Sequence, residues 1–338
     1  MRRWSTLWLL VWPLAVMLAL ATLSQLPFTE VARSIRALTA GNWLVWVALN
    51  LLILMIAALR WQLLAKALGV ELALRQFMQV RQAGSAVNFL TPGPQFGGEP
   101  LQVLWLHRVY KLPLPQAVLV LGLDRFFETA INLLMLLTLV LLLGLTRFTT
   151  QNALQVLVVL MLALLLLTGT LVLLLLQPRW LSDQLAALTL RWDHYPVLAR
   201  IHQHWQQSGH TLRHACSKGQ GRLWWALLLS MAGWVALMAE LILVLHWLGI
   251  TLSPDEFVLM LVSLRLSMLL PLPGGIGSVE AALLWSFRLL QLPATAAMGM
   301  IALIRLRDAV VLAGGLACLW WLTKRQTQAA TVAHEVRY

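Results

Sequence analysis

The sequence Pro-Leu-Pro-Gly-Gly-Ile-Gly-Ser-Val-Glu occupies residues 271–280 and interrupts an apolar stretch. Two prolines and three glycines within ten residues exclude a continuous helix, because proline removes a backbone donor and glycine weakens a helix interior. A related sequence, Pro-Gly-Pro-Gln-Phe-Gly-Gly-Glu, occupies residues 92–99. Each sequence therefore predicts a turn between two short helices. In a chain that spans a membrane, such a pair of short helices is a re-entrant hairpin.

The composition around these turns is that of a membrane protein. Of the 338 residues, 60% are apolar and 11% are charged, whereas soluble domains average about 45–50% and about 25%. The mean hydropathy is +0.79, so a soluble fold would lack the polar groups to cover its surface. The formal net charge of +12 fits loops that lie against anionic inner-leaflet lipids, and we expect no nucleic-acid partner.

Six apolar stretches approach or exceed the roughly 20 residues that a membrane crossing requires. The third and the sixth of them carry charges within their first halves, and those charges are candidates for function. The sequence thus predicts an all-α polytopic membrane protein with about six full spans and two re-entrant hairpins. The six stretches are residues 7–26, 43–59, 117–145, 153–176, 223–248 and 296–322.

The distribution of basic residues predicts the orientation. Arg2 and Arg3 precede the first stretch, and the positive-inside rule then places the N-terminus in the cytoplasm. With alternating spans, most other Lys and Arg residues, Arg60 among them, also fall on the cytoplasmic side. We therefore expect a multi-pass protein of a bacterial inner membrane with both termini in the cytoplasm.

An internal repeat relates the two halves of the chain. When the sequence is aligned with itself so that Pro113 falls on Pro293, Arg125 falls on Arg305. A shift by one position within the same alignment places Glu99 on Glu280. Chance seldom keeps so many Pro, Gly and charged positions in order.

This repeat divides a single membrane domain into segments. Repeat A covers residues 43–145 and repeat B residues 223–323, each as span, hairpin and span. One extra span between them would invert repeat B, and inverted repeats in transporters bring broken helices to one site at the midplane. The remaining segments are a first span with an external loop (1–42), a linking span with an amphipathic cytoplasmic loop (146–222) and a cytoplasmic tail (324–338).

Arg125 and Arg305 are the first candidates for a binding role. Each has an acid three residues later, Glu128 or Asp308, on the same helix face. One interpretation is an intrahelical ion pair that offsets the cost of inserting a charge. The other is that the two guanidiniums together line a cavity for a phosphate, which suits their planar fork.

The hairpin turns supply a second set of candidates. Half-helices that follow Pro92-Gly93 and Gly274-Gly275 present free N–H groups, which favour an anionic headgroup. Glu99 and Glu280 follow about one turn later, and each either caps its half-helix or carries a proton coupled to transport.

Four further charges lie close to the turns or to the paired arginines in the sequence. Arg81 and Arg265 precede the turns and are placed to guide a phosphate inward, although Arg81 also fits an ordinary snorkelling charge. Asp124 and Arg307 lack a repeat partner and are either asymmetric substrate contacts or surface residues.

Motifs of catalysis and metal binding are missing from the sequence. It has no phosphate-binding Gly-x-x-x-x-Gly-Lys loop, no His-Glu-x-x-His and no Gly-x-Ser-x-Gly. The histidines at 194, 202, 204, 210 and 214 lack an acid or Cys ligand at a recognised metal spacing. We therefore expect no enzyme activity, no cofactor and no metal.

The sequences at residues 92–99 and 272–280, with Asp-Arg-Phe-Phe-Glu at 124–128, resemble the signature hairpins of the lysylphosphatidylglycerol synthase transmembrane-region family, whose members are also called flippase-like domain proteins. A second Pro at Pro94 departs mildly from the first motif. In bifunctional members the membrane part is associated with moving an aminoacylated phospholipid, and a soluble synthase domain follows. This sequence lacks that domain, so the resemblance implies translocation without aminoacyl transfer, of a phospholipid or a polyprenyl-phosphate-type lipid.

The sequence leaves three hypotheses for function. The first is an inner-membrane lipid translocase that moves an anionic, phosphate-bearing lipid. The second is a membrane-embedded accessory or scaffold for a separately encoded lipid-modifying enzyme. The third, a lipid-linked glycosyltransferase, is disfavoured because no Asp-x-Asp pair for a nucleotide-sugar metal is present.

Overall fold

The structure, a computed structural model, describes residues 38–91, 97–147, 162, 166, 220–268, 270 and 272–335. Within these ranges it is helical and has no strand. The stretches predicted as spans at 7–26 and 153–176 and the loop histidines fall wholly or largely outside the described residues. The turn residues Pro92 and Gly93 lie outside them as well.

Eight helices make up the described part, together with one short 3-10 turn at Pro273–Gly275. The turn lies directly before the seventh helix. In chain order the helices are α1 (Ala40–Ala67), α2 (Leu74–Leu90), α3 (Glu99–Arg108), α4 (Leu114–Arg147), α5 (Gln220–Trp247), α6 (Pro254–Ser267), α7 (Ser278–Leu289) and α8 (Ala294–Glu335).

Three of these helices are long and apolar enough to cross a membrane: α1, α4 over Leu114–Gly144, and α5. Helix α8 has 42 residues and continues through much of the segment predicted as a tail. It is not one of the three helices identified as long and apolar enough to cross a membrane. The four helices next to the Pro/Gly turns have only 10 to 17 residues, fewer than a crossing requires.

Helix positions recur along the chain as the repeat predicts. The alignment that places Pro113 on Pro293 also matches the first residue of α1 to that of α5, of α2 to that of α6, and of α4 to that of α8. It also matches two residues with positive φ, Lys111 at 60° and Gln291 at 54°. We refer to α1–α4 as the first copy and to α5–α8 as the second copy.

The repeated Leu-Gly sequence at residues 68–69 and 248–249 ends the first helix of each copy in the same way. Gly69 and Gly249 adopt φ values of 77° and 76°, a left-handed conformation that glycine adopts without steric cost. In each case the next residue donates to a carbonyl five positions back, Val70 to Ala65 and Ile250 to Leu245, both at 2.9 Å. This is the hydrogen bond of a Schellman cap. Glycine at these two positions allows the chain to reverse direction after the helix.

Packing relates the copies by pseudo-symmetry. Helix α1 packs on α5, α2 on α8, and α4 on α6. Exchanging the copies maps this set of contacts onto itself, as a twofold axis requires. Each copy also packs around its own apolar cluster, which includes Trp61 and Phe77 in the first copy and Met260 and Phe287 in the second.

Candidate functional site

An enclosed charge cluster lies between α1, α2 and α4 of the first copy. Asp124 on α4 is 0% exposed and binds two arginines through different oxygens. Its Oδ1 lies 2.9 Å from Nε of Arg60 on α1, and its Oδ2 lies 2.9 Å from Nη1 of Arg81 on α2. Because a buried charge needs a partner, this carboxylate fixes the positions of both helices relative to α4.

Glu128 lies one helical turn after Asp124 and is shared by three guanidiniums. Its Oε2 is 3.1 Å from Arg60, 3.2 Å from Arg81 and 2.9 Å from Arg125. Arg125 is also 3.1 Å from Oε1 of Glu99, the first residue of α3. The cluster therefore joins all four helices of the first copy.

The second copy forms a smaller version of this cluster. Arg305 on α8 lies 2.6 Å from Oε1 of Glu280 and 2.8 Å from Oδ2 of Asp308. The same guanidinium donates to the carbonyl oxygens of Gly274 and Gly275 at 3.4 and 3.3 Å. Arg125 and Arg305 thus each bind an acid on the short helix after the Pro/Gly sequence, α3 or α7, and an acid three residues further along their own helix.

A second ion pair recurs between the first and last helices of each copy, with its charges exchanged. In the first copy, Arg60 on α1 meets the acids of α4. The repeat alignment matches Arg60 to Glu240 on α5, which lies 3.3 Å from Arg307 on α8. Glu240 also accepts a hydrogen bond of 3.0 Å from Asn50 of α1. Both copies therefore have an ion pair between their first and last helices with the signs of the charges exchanged, although Arg307 itself has no charged counterpart in the first copy.

The turn before α7 is built from glycines and closed by Glu280. Gly274, Gly275 and Gly277 have φ values of 56°, 62° and 86°, which other residues rarely adopt. Glu280, 5% exposed, accepts a hydrogen bond of 2.8 Å from the Gly277 N–H with one oxygen and binds Arg305 with the other. The carboxylate is both a helix cap and the anchor of the arginine.

In the first copy, a close approach of the backbone requires glycine directly before α3. Gly98 directly precedes α3 and has an ordinary φ of −86°. A Cβ at this position would lie 2.1 Å from the carbonyl oxygen of Gly84 on α2. Asn88 of α2 accepts a hydrogen bond from the Gly98 N–H at 2.5 Å. Glycine is therefore required at residue 98 by the contact between α2 and α3.

A cavity of about 280 Å³ lies between the copies, next to the first charge cluster. Its polar wall comes from the first copy and includes two guanidiniums and one carboxylate. Its opposite wall includes the turn of the second copy, where Gly274 packs against the ring of Phe89. The cavity is lined by the polar side chains of Arg81, Ser85, Asn88, Arg125 and Glu128 and by the turn residues Gly274 and Gly275.

The structure places the predicted site residues unevenly around this cavity. Arg81, Arg125 and Glu128 line it, as do Gly274 and Gly275. The lining residues do not include Arg305, which binds the turn carbonyls instead. Glu99, Glu280 and Asp308 act as partners of the arginines. Arg265 lines a neighbouring, smaller cavity; Pro92 and Gly93 lie outside the described residues.

Sequence reasoning misses or misjudges three members of these clusters. Arg60 falls among the charges expected on the cytoplasmic side, yet it is 7% exposed and paired. The surface alternative for Asp124 is wrong, because that residue is fully buried. Glu240 is not among the predicted site residues, although a lone acid inside the apolar stretch 223–248 is itself a signal of function.

Comparison with known proteins identifies the family. The family described as "Lysylphosphatidylglycerol synthase TM region" matches residues 7–332 of the chain. A "UPF0104 membrane protein" of Methanothermobacter thermautotrophicus is 27% identical over 100 residues, a segment that covers 30% of this chain and 30% of that protein. No solved structure matches.

The family match covers most of the sequence, including both Pro/Gly motifs and both charge clusters. The resemblance that those motifs suggested is thereby confirmed. The curated relative is matched over less than a third of its length, so it adds support for a membrane protein and nothing on substrate. The chain belongs to the lysylphosphatidylglycerol synthase transmembrane-region family.

Proposed function

We propose that the protein translocates lipids with an anionic, phosphate-bearing headgroup across a bacterial inner membrane. The observation that supports this proposal is the 280 Å³ cavity between the two copies, with Arg81 and Arg125 in its wall. Guanidiniums bind phosphate through paired N–H groups. A lipid-related membrane role is also what the family's name suggests.

Spare hydrogen-bond donors make the cavity wall suitable for a phosphate. One oxygen of Glu128 is shared by three guanidiniums, and each guanidinium has five N–H donors. The acids of the cluster cannot occupy all of these donors. A phosphate that enters beside Arg81 and Arg125 therefore finds unused N–H groups without displacing Asp124.

The charge balance of the cluster favours passage rather than retention. Three arginines (Arg60, Arg81 and Arg125) face three acids (Glu99, Asp124 and Glu128), so the cluster is formally neutral. An anion is then held mainly by hydrogen bonds and not by excess positive charge. A transport site must bind its cargo weakly enough to release it on the other side.

The proposed transport cycle uses the pseudo-symmetry between the copies. In this proposal the short helices around the Pro/Gly turns form re-entrant hairpins, and the two copies have inverted topology, with about six spans in all and both termini in the cytoplasm. Rocking of one copy against the other would expose the cavity to each leaflet in turn. The cargo is a phospholipid or a polyprenyl-phosphate-type lipid, and the protein itself catalyses no reaction.

Lipid scrambling in reconstituted vesicles tests the proposal. The purified protein is placed in vesicles with a fluorescent phosphatidylglycerol, and the rate at which the label reaches the outer leaflet is measured by chemical quenching. We expect the double variant Arg81→Gln/Arg125→Gln to lower this rate at least about tenfold, because two charge-assisted hydrogen bonds are lost.

The matched control is Arg288→Gln, which removes an exposed positive charge outside both clusters, and it should scramble lipid as the wild type does. An unchanged rate in the double variant would remove the assigned role of the cavity. A wild-type protein that moves no lipid but retains a lipid-modifying enzyme would instead favour the accessory function.

A further inference from the structure

Arg265 differs from the other arginines in the interior of the two copies. Arg60, Arg81, Arg125, Arg305 and Arg307 each lie within 4 Å of a carboxylate. Within the described part of the chain, no carboxylate lies that close to Arg265. Its guanidinium instead lies 4.4 Å from the ring centre of Trp234 on α5.

Among the described residues, the contact with Trp234 leaves the hydrogen-bonding edge of Arg265 unused. A cation–π contact engages the flat face of the guanidinium, whereas its N–H groups lie in the plane of the group. The indole itself is fixed, because its Nε1 donates to Oδ1 of Asn132 on α4 at 3.1 Å. Arg265 is thus held in place by an aromatic ring, with donors available to a ligand.

Arg265 lines a cavity of about 100 Å³ in the second copy. Most of its wall is apolar and includes Leu241, Leu264 and Met300. Two other charged residues in the wall, Glu240 and Arg307, form an ion pair with each other at 3.3 Å. The net charge facing this cavity is therefore the single positive charge of Arg265.

The small cavity corresponds by pseudo-symmetry to the larger one. Positions 81, 85 and 88 of α2 line the 280 Å³ cavity. The positions matched to them by the repeat, 261 and 265 of α6 and 268 directly after it, line the 100 Å³ cavity. Met268 and Val279 contribute to both walls. The two cavities are neighbours, but the cavity around Arg265 has roughly a third of the volume of the other and a mainly apolar lining.

We propose that the cavity around Arg265 is a separate binding site for a small terminal anion carried on an apolar chain. With about 100 Å³, against about 280 Å³ for its neighbour, the cavity favours a compact anion such as a carboxylate or a phosphate monoester over a glycerophospholipid headgroup. The apolar wall selects against a free inorganic anion, because that ion would lose hydration on most sides. Fatty acids and long-chain alkyl or prenyl monophosphates share the required chemistry.

Equilibrium binding to the detergent-solubilised full chain tests this site without any transport measurement. Four probes are titrated by calorimetry: dodecanoate, dodecyl phosphate, inorganic phosphate and the uncharged dodecyl maltoside. We expect at least one of the two anionic amphiphiles to bind. We expect Arg265→Gln to weaken that binding by about tenfold to a hundredfold, since it removes a charged hydrogen bond. Arg288→Gln is the matched control and should bind as the wild type does.

The pattern across probes identifies the ligand class. Preference for dodecanoate points to fatty acids, and preference for dodecyl phosphate points to monophosphates. Equal binding of dodecyl maltoside, binding of inorganic phosphate as tight as that of dodecyl phosphate, or unchanged amphiphile binding in Arg265→Gln would each overturn the proposal.

A second measurement uses the wild-type protein and does not depend on the variant folding. A dodecyl phosphate analogue with a photoreactive group near its anionic end is cross-linked and mapped by mass spectrometry. We expect adducts at the small cavity on α5, α6 and α8, which supply most of its lining residues, and we expect the better of the two amphiphiles to compete with them. Adducts confined to helices that do not line this cavity would contradict the site. If the protein binds the amphiphile at this site but does not scramble lipid, only the proposed function is contradicted. If it scrambles lipid but does not bind the amphiphile, only this site is contradicted.

Discussion

Asp124 illustrates at the residue scale how a membrane protein places charge in its interior. The side chain is fully enclosed, and both of its oxygens bind guanidiniums at 2.9 Å. Removing one partner of such a network leaves the remaining charges buried without an opposite charge. This costs more stability than replacing the whole network with apolar residues. Asp124 therefore contributes to stability, whereas Arg125 faces the cavity.

We expect Asp124→Ala to lower the free energy of unfolding by about 3–5 kcal/mol, because Arg60 and Arg81 lose their shared carboxylate. Thermal unfolding in detergent, followed by circular dichroism, measures the change. Glu71→Ala removes an exposed acid and is the control. Equal melting temperatures for the two variants would show that the buried network contributes no stability.

The residue pairs that sequence reasoning anticipates are the local ones. Arg125 with Glu128, and Arg305 with Asp308, are three residues apart on a helix, and the structure has both pairs at 2.9 and 2.8 Å. The pairs of Arg60 with Asp124 and of Glu240 with Arg307 are 64 and 67 residues apart. Helical spacing carries no information on such contacts, since they depend on how whole helices pack.

At the element scale, α2 and α8 form a contact between the copies that depends on a small residue. A Cβ on Gly315 of α8 would lie 2.5 Å from the carbonyl oxygen of Gln82 and 2.7 Å from Cβ of Ala86. The adjacent Gly314 has no such neighbour within 4 Å. Small residues allow membrane helices to approach closely, so residue 315 sets the distance between α2 and α8.

We expect Gly315→Ala to destabilise the protein by about 1–3 kcal/mol through overpacking. Gly314→Ala should be neutral or stabilising by up to about 1 kcal/mol, because alanine is the better helix former and meets open space. Thermal unfolding of both variants in the same detergent makes the comparison. If Gly314→Ala lowers the stability as much as Gly315→Ala does, the close contact between α2 and α8 is not the cause of the destabilisation.

Element boundaries are predictable where a local rule fixes them. The Leu-Gly sequences end α1 and α5 through the backbone angles of their glycines, and the Pro/Gly turn follows the end of α6. The apolar stretch 43–59 alone predicts an end for α1 that is eight residues too early. The length of α8 is not predictable in this way. Its apolar stretch ends near residue 322, yet the helix continues to Glu335. A polar sequence without Pro or Gly contains no stop signal.

At the scale of the whole molecule, a symmetric fold supports an asymmetric site. Equivalent arginines bind equivalent acids in both copies. Only Arg125 of these two also lines the 280 Å³ cavity, whereas Arg305 binds the turn carbonyls of Gly274 and Gly275. Repetition of the sequence predicts the symmetry. The asymmetry arises from residues that differ between the copies, such as Arg81 and its counterpart Leu261.

This asymmetry predicts different consequences for the same substitution in the two copies. Arg125→Gln leaves Glu128 paired with Arg60 and Arg81, so we expect a small change in melting temperature and a fall in lipid scrambling of about tenfold or more. Arg305→Gln takes the guanidinium partner from the buried Glu280, and we expect a loss of about 3–5 kcal/mol in stability. When the scrambling rate is measured at a temperature below the melting temperatures of both variants, it should be lower in Arg125→Gln than in Arg305→Gln. Equal effects of the two substitutions on both measurements would mean that the arginines have the same role and that the cavity wall does not distinguish them.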